Sequence, residues 1–312
     1  MTFFTSALAK IDSNSVVALG CFDGVHIGHS KIISSAVAVA KERSLPSVVW
    51  SFQAPPKNIL SGNDATGMLT PPSEKKRLIR DLGADVMISV PFDKKIARLS
   101  PHDFFENILI KRLNAKHIFC GFNYRFGYMG SGNVELLQSL CDEFNIALTV
   151  VDEVKTDGIT VSSSAIRALL SEGKIDKAEK MLGRPFSVCG KVKDGQHLGR
   201  HLGFPTVNQD IPNGKMILKN GVYLTRIKLG KTIKYGVTNI GMRPTVNSAK
   251  PVCETHILDF EGDLYGKYLT VEFIKFLRSE QKFNSLEELS LQVMNDIETA
   301  KEILNKNEWR KK

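Results

Sequence analysis

Apolar and polar positions follow two different rhythms along this chain, and the change falls just past its middle. In the first half, short apolar runs alternate with stretches of helical spacing. Val16–Cys21 reads as a strand and Ser30–Arg43 as a helix, and Ser47–Phe52, rich in β-branched and aromatic residues, is a second strand. Pro71-Pro72-Ser73-Glu74 opens a helix through Leu82, because proline and an acid suit a first helical turn. Asp85–Val90, His117–Gly121 and Ile146–Val151 follow as strands, with Pro101–Asn114 and Val134–Phe144 as helices. This βαβα order predicts a parallel sheet covered on both faces, with ligands bound beyond the carboxyl ends of its strands.

Two short helical segments, Ser163–Ser171 and Ile175–Leu182, run up to Gly183-Arg184-Pro185, which sets the expected boundary between domains 1–183 and 184–312. Beyond it the rhythm is strand after strand with short turns: Phe186–Val192, Gly221–Leu229, Lys231–Asn239, Val252–Phe260 and Tyr268–Leu277. That pattern predicts an antiparallel barrel or sandwich. Ser285–Asn305 closes the chain as one amphipathic helix, with Leu286, Leu289, Val293, Ile297 and Leu304 near helical spacing.

Bulk composition narrows the class. At 312 residues, 42% hydrophobic and 24% charged, the chain has ordinary globular composition. No apolar run approaches the ~20 residues a membrane helix needs, and no secretory leader is expected. Five cysteines without a CxxC spacing point to a reducing cytoplasm and away from structural zinc or disulfides. The net charge is +9, concentrated in the second half: 21 Lys and Arg face 19 Asp and Glu up to Gly183, and 21 face 14 after it. Such a half suits nucleic acid, a polyanion such as ATP, or simply a basic surface. No basic–aromatic repeat favours nucleic acid.

The candidate chemistry starts at Gly20-Cys21-Phe22-Asp23-Gly24-Val25-His26-Ile27-Gly28-His29, where a strand turns into a helix. A helix start offers open N–H groups and partial positive charge to phosphates. Gly28 lets the backbone come close, and His26 and His29 can donate to charge building on a phosphate. A cap or surface role for the histidines is the bland alternative. Gly121-Phe122-Asn123-Tyr124-Arg125-Phe126-Gly127 follows another strand; Asn123 offers donor and acceptor, and Tyr124 and Phe126 either stack on a planar ring or pack the core. Ser162, Ser163 and Ser164 open a helix, capping it or binding phosphate, with Arg167 one turn on.

In the second half, the basic glycine-rich run from Gly190 and Lys191 through Gly199 and Gly203 leads into Pro205-Thr206-Val207-Asn208. If extended, Thr206 and Asn208 share a face and present neutral oxygens suited to Mg²⁺. An ordinary polar strand fits those letters equally. Glu254 and His256 share a strand face; Glu254 is either a base near Mg-ATP or an exposed or ion-paired glutamate, and His256 is taken as structural.

Taken in order from about Val16 to Ile303, these segments, with Asn239-Ile240-Gly241-Met242-Arg243-Pro244-Thr245 and Leu258-Asp259-Phe260-Glu261-Gly262-Asp263-Leu264-Tyr265-Gly266, resemble the prokaryotic bifunctional riboflavin kinase/FAD synthetase family. The resemblance implies a Rossmann-like nucleotidyltransferase domain followed by a kinase barrel with a terminal helix. It implies that His26 and His29 steady ATP phosphates, with Gly20, Phe22, Asp23, Gly28 and Asn123 in that site and Ser162, Ser163, Ser164 and Arg167 binding phosphate. It further implies that the loop with Gly190, Lys191, Gly199 and Gly203 covers the kinase nucleotide, that Thr206 and Asn208 hold Mg²⁺, and that Glu254 is the base. The expected partners are riboflavin, FMN, FAD and ATP, with neither nucleic acid nor membrane, and self-association is left open. The chain departs from the family at Phe52-Gln53-Ala54-Pro55-Pro56, which lacks a histidine found in many relatives, and at Ser164 and Ala165, where threonine and arginine are usual. A chain in which only the kinase half works is therefore the alternative.

Overall fold

The computed structural model describes residues 1–56, 67–193, 199, 202–230, 232–244 and 249–306. The chain divides into two compact units, Met1–Ala165 and Ile166–Lys312.

The first unit is built on a sheet of six parallel strands: β1 (Thr2–Phe4), β2 (Ser15–Leu19), β3 (Ser47–Phe52), β4 (Val86–Val90), β5 (Ala115–Gly121) and β6 (Ala147–Val151). Their order is β1-β4-β3-β2-β5-β6. Chain direction across the sheet therefore reverses between β2 and β5, and a crevice opens at such a point beyond the strand ends. Both faces are apolar because the strands are buried on both sides: Val16 and Ala18 join one core cluster, Val17 and Leu19 the other. Helix α1 (Ile27–Glu42) lays Ile33, Ala36, Val37 and Ala40 onto the sheet, while α2 (Pro72–Asp81) and α3 (Val134–Glu143) cover other parts.

Most strands and helices fall close to the positions expected from sequence, with these differences among others. β1 is a three-residue edge strand, too short to show a period. The helix expected over Pro101–Asn114 is α-helical only to Phe104 and continues as a π-helix over Phe105–Ile110, where Phe105, Ile108 and Leu109 are buried. A small hairpin, β7 (Lys155–Thr156) and β8 (Ile159–Thr160), precedes α4 (Ser163–Ser171).

The division between units falls inside α4. In the second unit, α5 (Ile175–Leu182) packs on β14 (Tyr268–Ser279), and Lys219 N–H donates to Leu170 O at the end of α4. Strands β9 (Ser187–Lys193), β10 (Thr206–Asp210), β11 (Gly221–Leu229), β12 (Thr232–Pro244), β13 (Ala249–Ile257) and β14 form a closed antiparallel barrel in the order β10-β13-β12-β11-β14-β9. Closure needs β9 to approach β10 tightly, which Gly190 allows: a Cβ there would lie 2.9 Å from Asp210 O. Inside, Thr225, Thr238 and Thr255 are buried and satisfy one another, Thr238 Oγ1 lying 2.7 Å from Thr225 Oγ1 and 2.9 Å from Thr255 Oγ1. The terminal helix α6 (Leu286–Asn305), capped by Ser285, sets Ala300 and Ile303 against Val222, Leu224 and Val237 of the barrel.

Candidate functional site

At the carboxyl end of β2 the chain makes a turn that few sequences tolerate. Phe22, Gly24 and Val25 all have positive φ, at 50°, 90° and 38°. For a β-branched valine this is strained backbone and must be held by its surroundings. Asp23 supplies the hold. Its buried carboxylate accepts N–H bonds from Leu69 (3.2 Å) and Thr70 (3.1 Å), Thr70 Oγ1 accepts from Gly24 N–H (3.0 Å), and Ser163 Oγ donates to Asp23 O (2.7 Å). Phe22 is fully buried in the core, and Gly20 is needed because a Cβ would lie 2.7 Å from the Phe22 ring. The structure thus places Phe22 and Asp23 beneath the turn, as its support.

The turn delivers the two histidines together. His26 is the N-cap of α1, and its Nδ1 accepts from His29 N–H at 3.2 Å. That bond makes Nδ1 an acceptor, so the proton of a neutral His26 sits on Nε2. The two imidazoles stack with centroids 3.5 Å apart and planes 17° apart, and Phe22 meets His29 edge-on. A Cβ at Gly28 would lie 3.3 Å from the His26 ring, which explains glycine at the position. The helix begins at Ile27, earlier than Ser30 as read from sequence, because His26 caps it.

Two further segments differ in detail from the sequence expectation. Tyr124 and Phe126 stack on each other, 5.8 Å apart, and pack into the core; burial pushes the Tyr124 phenol far above its usual range. They are core residues, and the aromatic ring left exposed on that loop is Phe122, next to exposed Asn123. In the serine segment, Ser162 Oγ accepts from Ala165 N–H as a cap, Ser163 clamps Asp23, and Ser164 is exposed. Arg167 lies four residues after Ser163, on the same face of α4.

One residue that the sequence reading passed over lies at the same strand ends. Lys75 on α2 is fully buried, and its Nζ donates to Cys21 O (3.0 Å) and Phe52 O (2.7 Å). Burial lowers its pKa, against the pull of the nearby Cys21 and Asp23. Its signal was available: Lys75, Leu78, Ile79 and Leu82 follow the apolar spacing of the helix, with a lysine where a hydrophobe belongs.

In the second unit, Thr206, Asn208 and Glu254 line one pocket of about 280 Å3. Asn208 pairs with Glu254 across β10 and β13, Thr206 with His256, and Asn239 of β12 with Glu254. Glu254 is not in the barrel core: Cys253, Thr255 and Ile257 are buried, and half-buried Glu254 alternates with them on the outer face. The pocket lies on the barrel's outer surface, bounded by Phe283 and by Leu289 and Val293 of α6. His256, taken as structural, lines it too, with Nδ1 3.0 Å from Pro205 O, as does Asn239, which the sequence reading had not weighed. Arg278 and Asp296, joined at 2.7 Å and nearly buried, fix α6 to β14 at the same pocket.

Of the glycine-rich run, residues 194–198, 200 and 201 lie outside the described residues. Gly199 lines the pocket and is closed against Phe204, whose N–H donates to Gly199 O. Gly203 takes φ 85° in that turn. Gly190 is buried in the barrel wall where it serves closure, and Lys191 is exposed on β9; neither lines the pocket. Hydroxyl, amide and carboxylate oxygens make a hard donor set that fits Mg²⁺. Among the described residues no cluster of three or more His, Cys, Asp or Glu could hold a metal, so an ion here would need further ligands such as phosphate and water.

A parallel sheet ending in a paired-histidine turn, followed by a closed barrel with a hydroxyl, an amide and a carboxylate in one pocket, is the arrangement of a two-module transferase with a candidate phosphate-handling site in each module. Two family models match the chain, FAD synthetase over residues 8–165 and riboflavin kinase over residues 182–304. The chain belongs to the bifunctional riboflavin kinase/FMN adenylyltransferase family. It is 35% identical over 302 residues to the member from Buchnera aphidicola subsp. Schizaphis graminum, covering 96% of each chain, and 36% identical over 288 residues to that from Escherichia coli K12, covering 92% of each. A crystal structure described as a macrolide-efflux protein from Streptococcus pneumoniae superposes with a TM-score of 0.88 at 29% identity, covering 96% of this chain and 99% of that one. No helix among the described residues is long and apolar enough to cross a membrane.

Proposed function

We propose that this chain phosphorylates riboflavin to FMN and adenylylates FMN to FAD, with ATP the donor in both steps. The observation that carries this reading is that each unit holds its own cluster: stacked His26 and His29 at the sheet's carboxyl edge, and Thr206, Asn208 and Glu254 in one barrel pocket.

In the kinase half, Glu254 accepts the proton of the riboflavin 5′-hydroxyl as that oxygen bonds to the γ-phosphorus of ATP and ADP departs. Thr206 and Asn208 would hold Mg²⁺, which would offset phosphate charge. The rim of Gly199 and Gly203 lets backbone approach the nucleotide. The apolar wall of Phe283, Leu289 and Val293 suits a flat aromatic ring.

In the adenylyltransferase half, a phosphate oxygen of FMN bonds to the α-phosphorus of ATP and pyrophosphate departs. His26 donates from Nε2 to the phosphates, His29 lies stacked beside it, and the N–H groups opening α1 add partial positive charge. Positioning and charge stabilisation suffice, without a covalent enzyme intermediate. The residues up to Gly183 serve this step and the remainder the kinase step. The proposed partners are these small molecules, and the proposed place of action is the cytoplasm, where the free cysteines stay reduced.

The test is purified protein with riboflavin, ATP and Mg²⁺, followed by chromatography of the flavins. FMN and then FAD are expected. FMN alone, with none converted when FMN is supplied, leaves the kinase half only; neither product overturns the reading.

A further inference from the structure

Lys75 is a charged group placed where a neutral one would do for structure alone. β2 and β3 run parallel as far as Leu19 opposite Trp50, and Gly20 N–H makes a last bond to Trp50 O at 3.3 Å. Past that point the strands part: Cys21 leads into the histidine turn, and Phe52 into the following loop. The Lys75 ammonium bridges the gap, donating to a carbonyl on each side. Ser51 Oγ already donates to the same Cys21 O at 2.8 Å, so that carbonyl is satisfied by a neutral partner as well. The acid closest in charge to Lys75 is Asp23, and its carboxylate is engaged by the N–H groups of Leu69 and Thr70. A desolvated cation is costly to keep, and its bonds to Cys21 O and Phe52 O are to neutral carbonyls. Its partner Cys21 opens the turn that carries His26 and His29, where phosphate charge would gather.

We propose that Lys75 is a positioning residue for adenylyl transfer, its buried ammonium locking the ends of β2 and β3 together and placing positive charge at Cys21, where the chain enters the His26–His29 turn. It touches no substrate. Its part is to keep the turn in one arrangement and to bias the electrostatic field there toward an anion before the nucleotide arrives. This rests on the adenylyltransferase reading of that turn, so wild-type conversion of FMN to FAD is the first measurement; its absence defeats that reading rather than this one.

Given wild-type turnover, three variants decide. Lys75→Met removes the charge at similar length. Lys75→Gln keeps a neutral donor for the carbonyls and guards against misfolding. Ser51→Ala removes the neutral bond to Cys21 O while leaving the ammonium. The expected result is a fall in kcat for FAD formation of about thirtyfold or more in both Lys75 variants, with KM for FMN within about threefold of wild type. Ser51→Ala should stay within about threefold in kcat; FMN formation from riboflavin in the same samples should be unchanged, which reports a folded second unit, and urea midpoints like wild type report a folded first unit. A Lys75→Gln enzyme with wild-type kcat overturns the proposal, because a neutral tie then suffices. So does a Ser51→Ala loss as large as that of Lys75→Met, because backbone tethering alone then explains the effect.

Discussion

Asn208 and Glu254 stand opposite each other in the β10–β13 ladder. Directly paired residues of an antiparallel ladder have their side chains on the same face and close together. The amide and the carboxylate of the kinase pocket are therefore set by backbone register, and Thr206 and His256 repeat the relation two residues along. A shift of either strand by one residue would turn that strand's two residues away from the pocket.

Replacing Glu254 with Gln keeps the shape of the side chain and removes the base. FMN formation should drop by about 10²–10⁴-fold, the usual worth of a general base. FAD formation from supplied FMN should stay within about twofold. Separate assays of the two steps on one preparation test this, and an equal loss in both would show that the sites are not independent.

His26 carries two duties that substitution can separate. His26→Ala loses both the helix cap and the phosphate donor; His26→Asn restores a capping oxygen only. The alanine variant should destabilise the first unit by about 1 kcal/mol, and asparagine should recover most of that. Both should lose about 10²–10³-fold in FAD formation and leave FMN formation intact. Paired urea titrations and flavin chromatography check it; an active His26→Asn enzyme would make the cap the whole of the residue's role.

Asp23 is predicted to act through the turn. Asp23→Ala leaves the N–H groups of Leu69 and Thr70 without their acceptor, in backbone already strained at Phe22, Gly24 and Val25. A loss of about 1–3 kcal/mol in stability is expected, together with weakened FAD formation. If Asp23→Ala kept full stability and lost only turnover, the carboxylate would instead belong among the groups that touch substrate.

The pair of Arg278 and Asp296 gives a prediction for the barrel. Asp296→Ala strands a largely buried guanidinium, at a cost of about 3–5 kcal/mol. Replacing both partners with apolar residues should cost less. Thermal melts of the single and double variants decide, and equal losses would mean that the pair adds nothing beyond its packing.

Alkali should weaken the first unit. Burial pushes the Cys120 and Cys141 thiols from an ordinary 9.0 up to about 12. Between those values the unfolded chain releases protons that the folded chain retains, so stability is complete below pH 9 and falls as pH rises toward 12. Urea midpoints at pH 8 and pH 10.5 measure the drop. Cys141→Ala, although less stable at pH 8, should lose less over that interval.

What was legible in the sequence was local. The strand–turn–helix at Gly20–His29 and the shared face of Thr206 and Asn208 follow from neighbouring residues and the two-residue strand period. The same period could have placed His256 in the pocket, since it shares a face with Glu254. The facing side was not legible: nothing near Glu254 says which face of β13 fills the barrel, because Cys253 and Thr255 are small enough to read as either. The support beneath the histidine turn was hidden for another reason. Asp23 finds its partners 46 and 47 residues away, and Lys75 reaches Cys21 across 54. Only the assembled sheet brings them together. The misplaced start of α1 has a local cause, since Gly28 disfavours a first turn that the His26 cap restores.

The ring of strands from β10 round to β9 has no outermost member. An open sheet can fray from its edge, shedding one strand while the rest persists, and a ring cannot. Thr206 and Asn208 sit on one stave of it and Glu254 on the adjoining stave. Warming the protein should therefore extinguish riboflavin phosphorylation in a single sharp step, coincident with loss of the barrel, with no partly competent species on the way.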